Sequence, residues 1–188
     1  MKRGSGTGIC VGLSALLLVS ATLFPHIVQA ATKTEINASA DVALERFATH
    51  VKGGRDFLHA AKGVLVIPRI KKAGLVVGGE YGNGALRISG RNVGYYNLSA
   101  GSVGFQIGAE EFNLLLCFMD RAALEKFRLA NGWQVGVDGE VTVVNVGAGG
   151  SLDTTKLNEP IVGFVFGEKG LMAGVSLQGL KFTKINPK

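Results

Sequence analysis

His50 and His59 are the histidines that follow the first thirty residues, and they stand nine positions apart. Two ligands on one helix face need a spacing of four, and no cysteine lies near them in sequence. They give no ground for a metal centre, and no cofactor is expected. A nucleophile–His–acid triad needs an exposed serine on a tight strand-to-helix turn, but no serine here occupies a G-x-S-x-G elbow. Glu110 and Glu111 are adjacent carboxylates; neighbours in a strand point to opposite faces, which separates them for joint acid–base work. Gly78-Gly79-Glu80-Tyr81-Gly82-Asn83-Gly84 is glycine-rich but lacks the G-x-x-x-x-G-K-[ST] order of a phosphate loop. Its Asn83–Gly84 reads as a two-residue hairpin turn. Gly147-Ala148-Gly149-Gly150 opens no helix and is a poor dinucleotide site, and the few aromatic residues are not interleaved with basic ones, as a nucleic-acid platform would require. No catalytic residues are assigned, and no nucleic-acid partner is expected.

The residues left for function are cations. Arg69, Lys71 and Lys72 follow the apolar run that ends at Pro68, and Lys52, Arg55 and Lys62 lie just before it. The formal charge is +6, and subtracting Lys2 and Arg3 leaves +4. A mildly basic surface suits an acidic partner.

Lys2 and Arg3 belong to a leader. They precede an apolar run from about Ile9 to Phe24, and Val28-Gln29-Ala30 places small residues at the cleavage positions. The run is shorter than the ~20 apolar residues of a membrane span. Residues 1–30 are therefore read as a secretory signal peptide and 31–188 as one domain, exported and periplasmic or secreted. Cys10 falls in the leader, so Cys117 is left without a disulfide partner and is expected to be a buried thiol. A remainder of about 158 residues can be held by its core alone.

Glu35–Lys52 has the helical stripe Ile36, Ala40, Ala43, Phe47 and Val51, and Gly53–Gly54 ends it. Arg55–Lys62 makes a second short helix carrying Phe57 and Leu58. These helices can lie on a sheet. They can also present Lys52, Arg55 and Lys62 to lipid headgroups, with Phe47, Phe57 and Leu58 as apolar membrane contacts where they are not core. From Gly63 onward the period is two. Val103–Gly108, Trp133–Asp138 and Leu171–Gln178 alternate, as antiparallel strands with one buried face do. Phe112–Met119 is apolar on both phases and should be a central strand covered on both sides. Asp120–Ala130 reads as a helix capped by Asp120, and Gly167–Gly170 as a turn. Glycines recur four apart, as in Gly74, Gly78 and Gly82, which strips one sheet face along short tracks. Close packing explains such tracks; a groove for an acyl chain would as well. Internal helices, short strands and missing aromatic girdles argue against an outer-membrane barrel. The fold class is α+β: a single antiparallel, barrel-like sheet with flanking N-terminal helices and one internal helix.

Five segments, in order, resemble the SYLF domain family, a lipid-binding domain of a yeast actin regulator, vertebrate SH3-containing proteins, plant FYVE proteins and exported bacterial proteins. They are Ala61–Ile67 with Pro68, Ala73–Gly84, Gly101–Glu110, Trp133–Asp138 and Gly170–Gly179. The resemblance implies a compact domain of antiparallel sheet and flanking helices that binds anionic phospholipid, phosphoinositides in eukaryotic members, through basic residues and an N-terminal amphipathic segment. Carried onto this chain, it points to the helices at 35–62 and to Arg69, Lys71 and Lys72. Tyr95–Tyr96 stands where the family usually has a Trp, and Gln178 where an acidic residue is common. The leader removes the chain from actin, so no actin partner is expected.

The resulting expectation is a non-enzymatic, peripherally membrane-associated domain that binds an anionic phospholipid or membrane surface. An alternative is an envelope structural or protein-interaction module whose exposed edge strand, Ile161–Phe166, pairs with a partner. A hydrolase lacks a catalytic constellation.

Overall fold

A computed structural model describes residues 31–74, 77–103, 108–144, 154–167, 170–171 and 176–188. The leader, the Val103–Gly108 alternation beyond its first and last residues, Glu168–Lys169 of the expected turn and most of the Leu171–Gln178 alternation lie outside these residues.

Helix α1 (Lys33–His50) starts at a capping box. Glu35 N donates to Thr32 Oγ1 at 3.3 Å, and Thr32 N donates to Glu35 Oε2 at 2.8 Å. The hydrogen bond from the Thr32 backbone, then that from its side chain, holds the Glu35 carboxyl below its usual range. The stripe Ile36, Ala40, Ala43 and Phe47 is buried as its spacing requires. Gly53, with φ +84°, turns the chain into α2 (Gly54–Ala60).

Strands β1 (Gly63–Gly74), β2 (Val77–Ile88), β3 (Arg91–Val103) and β4 (Gly108–Phe118) form the middle of the sheet, and α3 (Arg121–Leu129) follows. Short strands β5 (Trp133–Gln134) and β6 (Thr142–Val143), a 3-10 turn at Thr154–Asn158, then β7 (Ile161–Gly167), β8 (Gly170–Leu171) and β9 (Lys181–Ile185) complete the chain. The strand order is β5-β9-β3-β2-β1-β4-β7-β6, with β8 paired to β7, and the sheet curls into a half-barrel. Every described pairing of these strands is antiparallel except β6 with β7. The α+β class and the antiparallel sheet agree with the sequence.

Both faces of β1, β4 and β7 are covered. Val64, Val66, Leu115, Cys117, Val162, Phe164 and Phe166 pack with α1 and α2 on one face. Leu65, Ile67, Leu114, Leu116, Phe118 and Val165 pack on the other with α3, Trp133 and Phe182. The doubly apolar run at 112–119 is thus the central strand it was expected to be. Phe127 of α3 anchors the second layer, with its ring centroid 4.8 Å from Tyr96, 4.9 Å from Phe118 and 5.5 Å from Trp133. Phe47 and Phe57 anchor the first, each within 5.0 Å of the Phe164 ring.

Four readings of the sequence are corrected. Asn83–Gly84 is not a turn: both residues lie inside β2, opposite Asn97 and Tyr96. The β2–β3 turn is Ser89–Gly90, where φ is +50° and +76°, both positive as a tight I′ hairpin requires. The alternation at Trp133–Asp138 stops after two strand residues. Gly136 has φ +83°, Gln134 N donates to Asp138 Oδ2 at 2.8 Å, and Val137 is 73% exposed. Ile161–Phe166 is not an edge, because β7 is bordered by β4 on one side and β6 on the other. Phe47 and Phe57 are fully buried, and Leu58 packs half-buried against the same cluster, so the two phenylalanines are core residues and not membrane contacts.

Cys117 is buried, and loss of hydration pushes its thiol up to about 12 from 9.0. The native thiol keeps its proton where the unfolded thiol has lost it. The unfolded state then binds fewer protons, and stability falls as pH rises through 9 toward 12. Thiol labelling at pH 8 is expected to be negligible in native buffer and complete in denaturant; rapid native labelling would contradict the burial.

Candidate anion-binding groove

Strand β1 does not stop where its apolar run ends, at Pro68. The strand continues to Gly74 through a bulge: Ile67 faces Leu114, Ile70 faces Phe112, and Pro68 and Arg69 together oppose the single residue Asn113. Arg69 has φ +48°. Its N–H donates to Asn113 Oδ1 at 3.1 Å, and Asn113 Nδ2 donates to the Phe166 carbonyl at 3.1 Å. A buried amide thus satisfies the backbone that the bulge leaves unpaired.

The bulge aims Arg69 at α1, where Nη2 donates to Ser39 Oγ at 3.2 Å. Arg46, Arg69 and Lys71 line two adjoining clefts here, of about 390 and 360 Å³, but Glu111 and Glu35 line them too. Lys72 is paired with Glu80 across the strands at 3.2 Å. The positive potential expected of the basic step is largely offset locally. Lys52 and Arg55 are exposed around the α1–α2 junction. Lys62 lies at the other end of β1, about 25–30 Å from Lys71 at the rise of an extended strand. The six cations do not form one patch.

Lys62 instead joins cations that sequence reading passed over. A groove of about 740 Å³ opens at the end of the sheet, between α2 and α3. Lys62 enters it from the α2–β1 link, Arg87 from the end of β2, and Arg121 and Arg128 from α3; among the described residues Glu125 is the single carboxylate lining it. His59 of α2 also lines the rim.

Each cation has a local reason for its place. Arg87 is held by Asp41 of α1 at 2.6 Å and by Asn92 Oδ1 at 2.9 Å. Asp120 caps α3 by accepting from Ala123 N at 2.9 Å, which fixes the first turn and Arg121 in it. Arg128 is seven residues on, two turns along the same face, and its guanidinium donates to Glu125 at 3.0 Å. Lys62 Nζ donates to the Ala60 carbonyl at 3.4 Å. Neither Lys62 nor Arg121 has a carboxylate partner among the described residues. Even with Asp41 counted behind Arg87, positive charge exceeds negative by two, and it converges from three elements on one concavity.

The arrangement can hold an anion, above all a phosphate, by several guanidinium and ammonium donors at once. Among the described residues no group of three or more His, Cys, Asp or Glu is placed to hold a metal. No helix of the described chain is long and apolar enough to cross a membrane. One signal for Arg121 and Arg128 was available, since i, i+7 on a helix is one face; Arg87 and Lys62 are brought to them only by the fold.

A family model described as Ysc84, Las17-binding protein actin regulator, matches residues 99–186. No curated protein matches the chain.

Proposed function

We propose, from the match of residues 99–186 to the Ysc84 (SYLF) family model, that the protein binds anionic phospholipid without turning it over, through the groove at Lys62, Arg87, Arg121 and Arg128. The observation that carries the reading is the excess of cations over carboxylates in that groove. Each basic residue near an anionic surface is worth about 1 kcal/mol. Four that converge present their donors to the same phosphates at once, where dispersed pairs cannot. Arg121 and Arg128 lie within the matched segment, while Lys62 and Arg87 precede it. The family description speaks of an actin regulator; the leader read in residues 1–30 directs this chain to export, where peripheral attachment to an envelope membrane is the role that remains.

Flotation with vesicles of phosphatidylglycerol and phosphatidylcholine, against phosphatidylcholine alone, tests this. Binding is expected to be confined to the anionic vesicles at low salt and to fall sharply toward 1 M salt, where the screening length shrinks to about 3 Å. Equal binding to both vesicle types at either salt would overturn the proposal.

A further inference from the structure

The groove has a second character beneath its charged rim. Its floor is apolar: Leu44, Leu58, Val64, Ile88 and Leu124 line it. Val64 and Leu124 belong to the two different core layers, and Leu44, Leu58 and Ile88 pack half-buried against them. The groove is therefore where the two layers meet at the end of the sheet, with α2 on one side and α3 on the other. A site for a bare phosphate needs cations alone. A concavity with guanidinium groups at the lip and aliphatic side chains below has the polarity of an amphiphile, and about 740 Å³ is within the range of sites that enclose most of a small molecule, about 300–1,000 Å³.

We infer that the groove takes an acyl chain as well as a headgroup: one anionic phospholipid, or its monoacyl form, lies with its phosphate at Arg121 and Arg128 and the first part of its chain over Leu58 and Ile88. The inference rests on the anion-binding reading of the same groove and adds what lies beneath the phosphate. It makes the protein a binder of individual lipid molecules, not only of a charged surface.

The test uses the protein purified in the form the cell produces. Titration calorimetry compares glycerol 3-phosphate with monoacyl glycerol 3-phosphates of increasing chain length, each below its micelle concentration. Affinity is expected to rise about two- to fourfold per added methylene, the upper figure being that of full burial, and to level off once the groove is filled. Leu58→Trp, which fills the floor, is expected to weaken the long-chain ligands at least tenfold and to leave glycerol 3-phosphate unchanged. The length series on the unaltered protein decides the matter even if that variant does not fold. An affinity independent of chain length, or one that climbs without levelling, overturns the acyl-chain inference and leaves the anion-binding reading in place when anionic vesicles still bind. Failure of both glycerol 3-phosphate and anionic vesicles to bind overturns both.

Discussion

Gly84→Ala is expected to destabilise the protein by about 3–5 kcal/mol, among the largest effects a single added methyl group can have. A Cβ at Gly84 would lie 1.9 Å from the Val66 carbonyl oxygen and 2.8 Å from Ile67 Cα. Both are backbone atoms of the neighbouring strand, so no rotamer change relieves the overlap. At about 2–4 °C per kcal/mol for a domain of this size, the melting temperature should fall by about 6–20 °C. Gly101→Ala serves as the control, because nothing lies within 4 Å of its added Cβ; a change within about 0.5 kcal/mol is expected there. A turn glycine would behave differently. Alanine at a turn costs chiefly the left-handed backbone preference, about 1 kcal/mol. Thermal unfolding of the two variants therefore separates a mid-strand close approach from a turn, and a loss of only about 1 kcal/mol at Gly84 would contradict the observed register.

Arg121→Glu with Arg128→Glu is expected to lower affinity for anionic vesicles by a hundredfold or more. Each replacement removes one attractive charge and adds one repulsive charge, and at about 1 kcal/mol per charge near the surface the summed effect of about 4 kcal/mol approaches three decades. The fold should tolerate the change. Both side chains lie at the surface of α3, and a carboxylate in the first turn suits the positive end of the helix dipole. The Arg128 ion pair with Glu125 is exposed and contributes less than about 1 kcal/mol. The matched comparison is Arg69→Glu with Lys71→Glu, which carries the same change in formal charge. That pair sits beside Glu35 and Glu111, far along β1, and is expected to weaken binding much less. Flotation of the two double variants at one salt concentration decides between the ends of the sheet. Equal losses would mean that overall charge, not the groove, governs binding.

Hydrophobic period and punctuation were enough to place the described helices within two residues, to identify Asp120 as a cap, and to make 112–119 the doubly covered central strand. Those features follow from local rules: a stripe at three- and four-residue steps has one way to bury itself, and a run apolar on both phases has two faces to cover. The same rules misplace Asn83–Gly84. A glycine that frees the backbone for a turn and a glycine that makes room for another strand look identical in a sequence. The bulge at Pro68–Arg69 decides between them, since it presses Ile67 and Ile70 onto Gly82 and Gly84. Phe47 and Phe57 show the same limit: an amphipathic helix carries its apolar stripe whether that stripe meets a sheet or a bilayer, and only the facing Phe164 and Phe166 assign it to the core.

The charges divide in the same way. That the chain is basic, and that its cations flank the first strand, is a property of the sequence alone. Which cations act together is a property of the tertiary structure, because Coulomb interactions depend on distance in space and Lys62, Arg87, Arg121 and Arg128 are spread over sixty-seven positions of chain. Antiparallel pairing brings the end of β2 beside the start of β1, the cap at Asp120 sets α3 across them, and Glu35, Glu80 and Glu111 settle against the basic step that stood out in the linear sequence.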